Sequence, residues 1–403
     1  MDSDALEALQ KRRLERILSH AYDTPYYRKI MDENQLSPAG LVENLAAFPI
    51  TEKPAIRESP DSFIRKGVSK AGLMPVKTSG STALPLQVFR DQEMVERITA
   101  RRYLGEMQCG FGPRDIFAEI VGHYYKPHPL VDAAGLFRKF QLSVFEDEKK
   151  NFSLLKKSGA NILGWYSSVI SFLAKLTLES NTPIRLKSVM CGAEMLTPGR
   201  RKLIEESFSC DVFNQYASWE FGIMALECPE EHNLHIASSS CLIEIVDDKG
   251  KPKKSGVGRV VATSLDNKAM PLIRYNLDDL SSWGKGCSCG RGSPVLKSLE
   301  GRQYNTVVLP SGRVIPAIRV MWVNEVASVY SYRVIQERPD LFVFRYIPGK
   351  GFSDSTKKEI ANLIKQGCMG EEVNVEFEEV DKMKKGRTGK MEVASSKVPH
   401  KRI

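Results

Sequence analysis

Between residues 116 and 214, short apolar runs alternate with amphipathic stretches, and no other feature limits the possible folds as much. The runs at 116–121, 161–164, 186–190 and 211–214 are each four to six residues long. Runs this short and apolar read as strands buried on both faces. The stretches 152–157, 168–178 and 200–207 read as helices. Strands and helices in strict alternation imply parallel βαβ units. A helix over 92–108, ended by Gly110 and Gly112-Pro113, leads into them.

The pattern changes outside this region. Residues 4–20 read as an entry helix capped by Asp4, with Leu6, Leu9, Leu14, Ile17 and Leu18 on one face. From Cys241 onward, Leu242, Ile243, Ile245 and Val246, the turn Asp247 to Gly250, and Val260-Val261 read as an antiparallel hairpin. A boundary falls near Gly301-Arg302. Beyond it, 332–336 and 341–346 form a hairpin. Residues 355–366 form a helix stopped by Gly367, and Val373, Val375 and Phe377 alternate as a strand. The expected class is α/β. A large N-terminal α/β domain (1–301), a parallel sheet plus an antiparallel β region, precedes a small C-terminal α+β domain (302–403).

Composition bounds the function classes. A hydrophobic fraction of 42% and a charged fraction of 27% over 403 residues are those of a soluble globular chain. No apolar run approaches the ~20 residues that span a bilayer, and the charged N-terminus is not a signal peptide. The expectation is a cytoplasmic protein with no membrane partner. Eight scattered cysteines do not suggest a disulfide framework. The net charge of +9 fits a surface that attracts ATP, CoA or another polyanion, or a merely solvated basic surface. No nucleic-acid motif accompanies it.

Five motifs follow one another along the chain. The first is Thr78-Ser79-Gly80-Ser81-Thr82, a hydroxyl- and glycine-rich loop suited to phosphate oxygens. Next come Cys191-Gly192-Ala193-Glu194, then Asn214-Gln215-Tyr216-Ala217-Ser218-Trp219-Glu220. Arg274-Tyr275-Asn276-Leu277-Asp278-Asp279-Leu280 follows, and Gly386-Arg387-Thr388-Gly389-Lys390 closes the series. In this order they resemble the adenylate-forming ligase superfamily. Within it the chain is similar to the phenylacetate–CoA ligase group and its capsular-polysaccharide-type and F390-synthetase-type relatives. The opening Arg12-Arg13-Leu14-Glu15-Arg16-Ile17-Leu18 and Thr24-Pro25-Tyr26-Tyr27 belong to the same resemblance, which covers nearly the whole chain.

The resemblance implies an enzyme that activates a carboxylic acid, preferably an aryl acid, with ATP and Mg²⁺. The acyl-adenylate then passes to CoA, or to an amine, a hydroxyl or a carrier-protein thiol. A degenerate nucleotide-binding homologue is the third reading, since Ala83 and Leu84 replace the family's Gly and Lys. The implied ATP/AMP-binding residues are Thr78, Ser79, Gly80, Ser81 and Thr82, then Gly192, Ala193, Glu194, Asn214, Tyr216, Asp279 and Arg302. Glu220 would hold Mg²⁺. Lys390, on a small mobile C-terminal lid, would be the catalytic cation, with Glu220 and Thr82. Asp278 stands where the family has glycine, and Tyr304 and Asn305 replace the usual acidic hinge residues. His123, Tyr124 and Tyr125 follow a strand end, where open α/β sheets bind ligands. With Phe221 and Gly222 they are the candidate acyl wall. Cys228, His235, Cys287 and Cys289 suit a structural zinc site or are reduced cysteines in a loop, with His232 as rival fourth ligand. The assembly is a monomer or a homodimer.

Overall fold

The computed structural model describes residues 2–78, 86–125, 134–180, 183–302, 306–321 and 328–399. Ser79, Gly80, Ser81 and Thr82 of the expected phosphate loop lie outside these residues. So do Ala83, Leu84, Tyr304 and Asn305. Two compact units emerge, one from 1–105 and 215–300, the other from 106–214 and 301–403.

The first unit opens with the helix Ser3–Tyr22. Its cap is Asp2, whose Oδ1 accepts from the Ala5 N–H at 2.8 Å, not Asp4, which lies inside the first turn. Leu14, Ile17, Leu18 and Ala21 are buried along one face. Thr24 caps the helix Pro25–Glu33, with Pro25 in the first turn, where its missing N–H costs nothing. An antiparallel sheet runs in the order Cys241–Val246, Gly258–Ser264, Tyr275–Trp283, Val295–Arg302, Leu234–Ile236 and Gly222–Glu227. The expected hairpin is present, with Ile243 opposite Ala262 and Ile245 opposite Val260. The core packs the entry helices on this sheet, with Tyr27, Phe48, Phe63 and Tyr275 all fully buried.

The second unit contains the parallel strands. Their order is Arg138–Ser143, Ile116–Val121, Ile162–Tyr166, Ser188–Gly192 and the first half of Asp211–Ser218. The helices Glu148–Ser158, Ser167–Glu179 and Pro198–Phe208 connect them. The strand Asp211–Ser218 outruns its expected end at Asn214, because Gln215 to Ser218 pair antiparallel with Gly222–Glu227.

The C-terminal residues of this unit form a four-stranded sheet. Val329–Arg338 pairs antiparallel with Leu341–Pro348, which pairs parallel with Asn374–Glu379; Ala394–Ser396 lies parallel on the other edge. The helix Asp354–Gly367 begins with a capping box at Ser353. The helix ends at Gly367, its last residue, and a Cβ there would come 2.1 Å from the Arg319 carbonyl oxygen. The glycine is a close-packing residue.

Candidate active site

In the first unit, Glu220 follows the strand Asp211–Ser218 and is only 6% exposed. A buried carboxylate needs partners. Its Oε1 accepts the Tyr275 hydroxyl at 2.8 Å, and the buried Arg90 guanidinium lies within its field. Arg90 also donates to the Trp219 carbonyl. Burial and the neighbouring Glu220 charge push the Tyr275 hydroxyl well above its ordinary value, so it remains a donor. Trp219 itself points outward, 50% exposed.

The run Arg274 to Leu280 folds as a dense anchor. Buried Arg274 donates to Glu244 at 3.0 Å and to the Ala46 and Gly250 carbonyls at 2.9 Å. Asp279 accepts the Tyr216 hydroxyl at 2.8 Å. Burial and that carboxylate raise the Tyr216 hydroxyl well above its usual range. A carboxylate oriented by a phenol is a fixed acceptor for further donors.

The second unit carries the other motifs at strand ends. Ala193 has a left-handed backbone (φ 58°), and the Glu194 N–H reaches the Gly192 carbonyl at 2.5 Å, so the chain turns sharply after the strand Ser188–Gly192. The turn aims Glu194 at two backbone donors. Its Oε2 accepts from the Ser168 N–H at 2.9 Å, its Oε1 from the Met391 N–H at 2.7 Å.

Met391 follows Lys390, and its neighbours are fastened as well. The loop closes on itself through Gly386 N–H to the Lys390 carbonyl (3.0 Å) and Gly389 N–H to the Gly386 carbonyl (2.9 Å). The Tyr166 hydroxyl donates to the Thr388 carbonyl at 2.7 Å. Burial, then the Glu194 charge, push that hydroxyl up to about 12. Lys385 Nζ donates to the Val144 carbonyl and to Glu148, both at 2.6 Å. Gly389 (φ 81°) sits so close to Val144 that a Cβ would meet Cγ1 at 2.1 Å. Half-buried Lys390 is thereby set at the C-terminal ends of Ile116–Val121 and Ile162–Tyr166.

The acyl candidates divide. His123 and Tyr124 are exposed just past a strand end, Tyr124 at 69%. Tyr125 turns inward. Its N–H donates to Gln141 at 2.9 Å and its hydroxyl to Glu119, which is ion-paired with the buried Lys139. Phe221 is 3% exposed and packs on Tyr275. Gly222 is there for Ile98, whose Cγ1 a Cβ would meet at 2.6 Å. These two residues sit in the core and do not form an open wall. Asn214 is half-buried at the end of its parallel pairing with Cys191, and Arg302 is exposed at the end of Val295–Arg302.

Away from these motifs, Cys228, His235, Cys287 and Cys289 bring their ligand atoms within 4.8 Å of one another. The Cys228–Cys287 sulfurs are 3.7 Å apart, and Cys289 Sγ is 3.4 Å from His235 Nε2. Zinc–sulfur bonds of about 2.3 Å and zinc–nitrogen bonds of about 2.0 Å in a tetrahedron give edges of roughly 3.8 and 3.5 Å. The donors thus stand at ligand spacing. Ser293 Oγ lies 3.0 Å from His235 Nδ1, which leaves Nε2 for the cluster. His232 lies outside it: its Nδ1 sits 2.6 Å from buried Glu227.

No family model matches the chain. It is 26% identical over 336 residues to a phenylacetate–coenzyme A ligase of Thermus thermophilus, covering 78% of this chain and 74% of that protein. It is 26% identical over 296 residues to the protein CapK of Staphylococcus aureus, covering 67% and 62% respectively. Among solved structures it superposes on 2-hydroxyisobutyryl-CoA ligase, in its postadenylation state with an acyl-AMP, with a TM-score of 0.82. The identity is 18%, over 98% of this chain and 90% of that one.

The chain is similar to the phenylacetate–CoA ligase-like group of the adenylate-forming superfamily.

One departure from the resembled pattern has a structural account. Asp278, at the family's glycine, has φ 64°. Aspartate tolerates that left-handed region better than most side chains. Its carboxylate is held by Lys53 at 2.6 Å, and its N–H donates to Asn276 Oδ1 at 3.0 Å. Residues that motif reading did not single out are Tyr166, Arg90, Tyr275 and Lys385. Tyr275 stood inside a quoted motif and Tyr166 at a strand end, which are the two signals that could have found them. Arg90 and Lys385 carried none.

Proposed function

We propose that this protein joins a carboxylic acid to coenzyme A through an acyl-adenylate. The carboxylate oxygen attacks the α-phosphorus of ATP and pyrophosphate leaves. The CoA thiol then attacks the acyl carbon and AMP leaves. The observation that carries the reading is the fastening of the Gly386–Lys390 loop at the C-terminal ends of the parallel strands, where such sheets hold ligands. Lys390 there would neutralise charge developing between carboxylate and phosphate. Asp279, oriented by Tyr216, would accept the ribose hydroxyls, with Arg302 and Asn214 adding nucleotide contacts. Glu220, a buried carboxylate with a phenol and a guanidinium behind it, fits a Mg²⁺ ligand, the phosphates supplying the rest. Thr78 to Thr82 would receive the β- and γ-phosphates.

We assign 302–403 as a mobile lid on the large domain, an aryl acid as substrate, with His123 and Tyr124 at its mouth, and the cytoplasm as location. Likeness to phenylacetate ligases supports the aryl choice. Zinc, held by Cys228, His235, Cys287 and Cys289, would brace the loop around 287–289 and take no part in chemistry.

Carboxylate-dependent ATP–pyrophosphate exchange over a panel of aryl and short-chain acids tests the first step. One acid should support exchange, and Lys390→Ala should lower it about 10²–10³-fold. Exchange unchanged in Lys390→Ala would remove the assigned role. Offering CoA, amines and hydroxylamine, with products weighed by mass spectrometry, tests the acceptor; adenylate that CoA does not discharge would sink the thioester step.

A further inference from the structure

The helix Ser167–Glu179 meets the C-terminal strand Val329–Arg338 across a small cavity with an empty space of ≈320 Å³, part of it open to solvent. Ser168, Ser171, Arg200, Tyr330, Tyr332 and Met391 line it, and so does Lys175. Lys175 is 8% exposed, and its Nζ donates to the carbonyl of Val329, the first residue of that strand. Lysine is rarely buried unless paired with an acid. This cavity offers it a backbone oxygen and a second cation.

We propose that Lys175 is a positioning residue that fastens the C-terminal segment, and Lys390 with it, onto the helix Ser167–Glu179 through its bond to Val329. The proposal rests on the reading of 302–403 as a lid. Met391, one residue after Lys390, lines the same cavity and is held by Glu194, so the two attachments share a border.

The groups facing Lys175 fix the sign of its charge dependence. On its own helix Glu179 favours the ammonium, but that carboxylate also takes the Tyr330 hydroxyl. From Pro198–Phe208, buried Arg200 opposes it. The strand contributes Tyr330, pushed up to about 12, and Tyr332, also raised by burial; both are uncharged. From the 192–197 turn, Glu194 is spent on the Ser168 and Met391 N–H groups. Burial, then Arg200, bring the amine down to about 7. The docked segment thus binds fewer protons than one lifted away, where Lys175 returns toward 10.5. Docking strengthens as pH rises from about 7 and levels off near the ordinary lysine value, by at most about tenfold per unit.

Hydrogen–deuterium exchange on the full chain between pH 6.5 and 9.5, corrected for intrinsic rates, tests this at 329–338 and 386–391. Wild-type protection should climb with pH. Lys175→Gln keeps a donor but does not titrate, and its protection should be flat. Lys175→Met has no donor and does not titrate, so its protection should be flat with pH and should fall below wild type only toward pH 9.5, where the cost of burying the ammonium has faded, with an unchanged melting temperature. Where an acid supports pyrophosphate exchange, Lys175→Met should lower kcat severalfold at that alkaline end and leave the KM for ATP alone. A wild-type slope retained in Lys175→Gln or Lys175→Met, or wild-type protection in Lys175→Met at pH 9.5, overturns the proposal. Exchange failing with every acid while the protection pattern holds would instead count against the ligase reading.

Discussion

Glu220 and Lys390 are held in opposite ways. Glu220 lies in a core, its carboxylate met by Tyr275, whose own segment is anchored by Arg274 with four bonded partners, and the Arg90 charge acts on it. Lys390 lies on a loop whose backbone is bonded by Tyr166 and Glu194, next to Lys385, which is bonded to the Val144 carbonyl and to Glu148. The first arrangement cannot change without unpacking. The second can be released one bond at a time, each worth about 0.5–3 kcal/mol, the charged Glu194 and Lys385 bonds at the upper end. A metal-binding carboxylate gains from rigidity, and a cation needed for one step of two gains from reversible docking.

Substitutions can break that contrast. Glu220→Ala should produce the largest effect. Exchange should fall about 10²–10³-fold. Stability should fall by about 1–3 kcal/mol, because the buried Tyr275 hydroxyl loses its acceptor. A denaturant melt showing wild-type stability would mean Glu220 is not the pinned element described above. Cys287→Ser, or chelation, should come next. If the cluster holds zinc, elemental analysis should give one equivalent in the wild type and none in the variant, with a lower melting temperature and an unchanged KM for ATP. Tyr166→Phe should be mildest. One bond to Thr388 disappears, fold stability should hold within about 1 kcal/mol, and exchange should slow several-fold. A loss in Tyr166→Phe as large as in Glu220→Ala would show that the loop too is a rigid part.

Four parallel strands were legible because they are largely buried, so apolar runs mark them; the edge strand Arg138–Ser143, mostly half-buried and carrying polar residues, was not. Ile116–Val121 has the expected bounds. Ends set by distant partners were not legible: Gln215 to Ser218 are strand only because Gly222–Glu227 lies beside them. The helix start at Glu148 was hidden under the exposed Lys149 and Lys150, which carry no apolar stripe. Gly367 read correctly as the helix end, but sequence cannot show the Arg319 carbonyl pressed against it, which keeps a side chain out. The Cys/His cluster and His235 were read from residue type; that His232 lies outside it rests on Glu227, which the sequence does not place beside it. Lys175 gave no signal, because a lysine on a helix reads as solvated until a strand is laid over it.

Asp278 carries a broader consequence. The position demands a sign of φ and leaves the side chain open, provided something like Lys53 receives it. A search pattern spelled in amino-acid letters would score this site as a loss. One spelled in backbone handedness would score it as intact. In this chain the left-handed turn and its Lys53 partner keep the local geometry although the letter has changed.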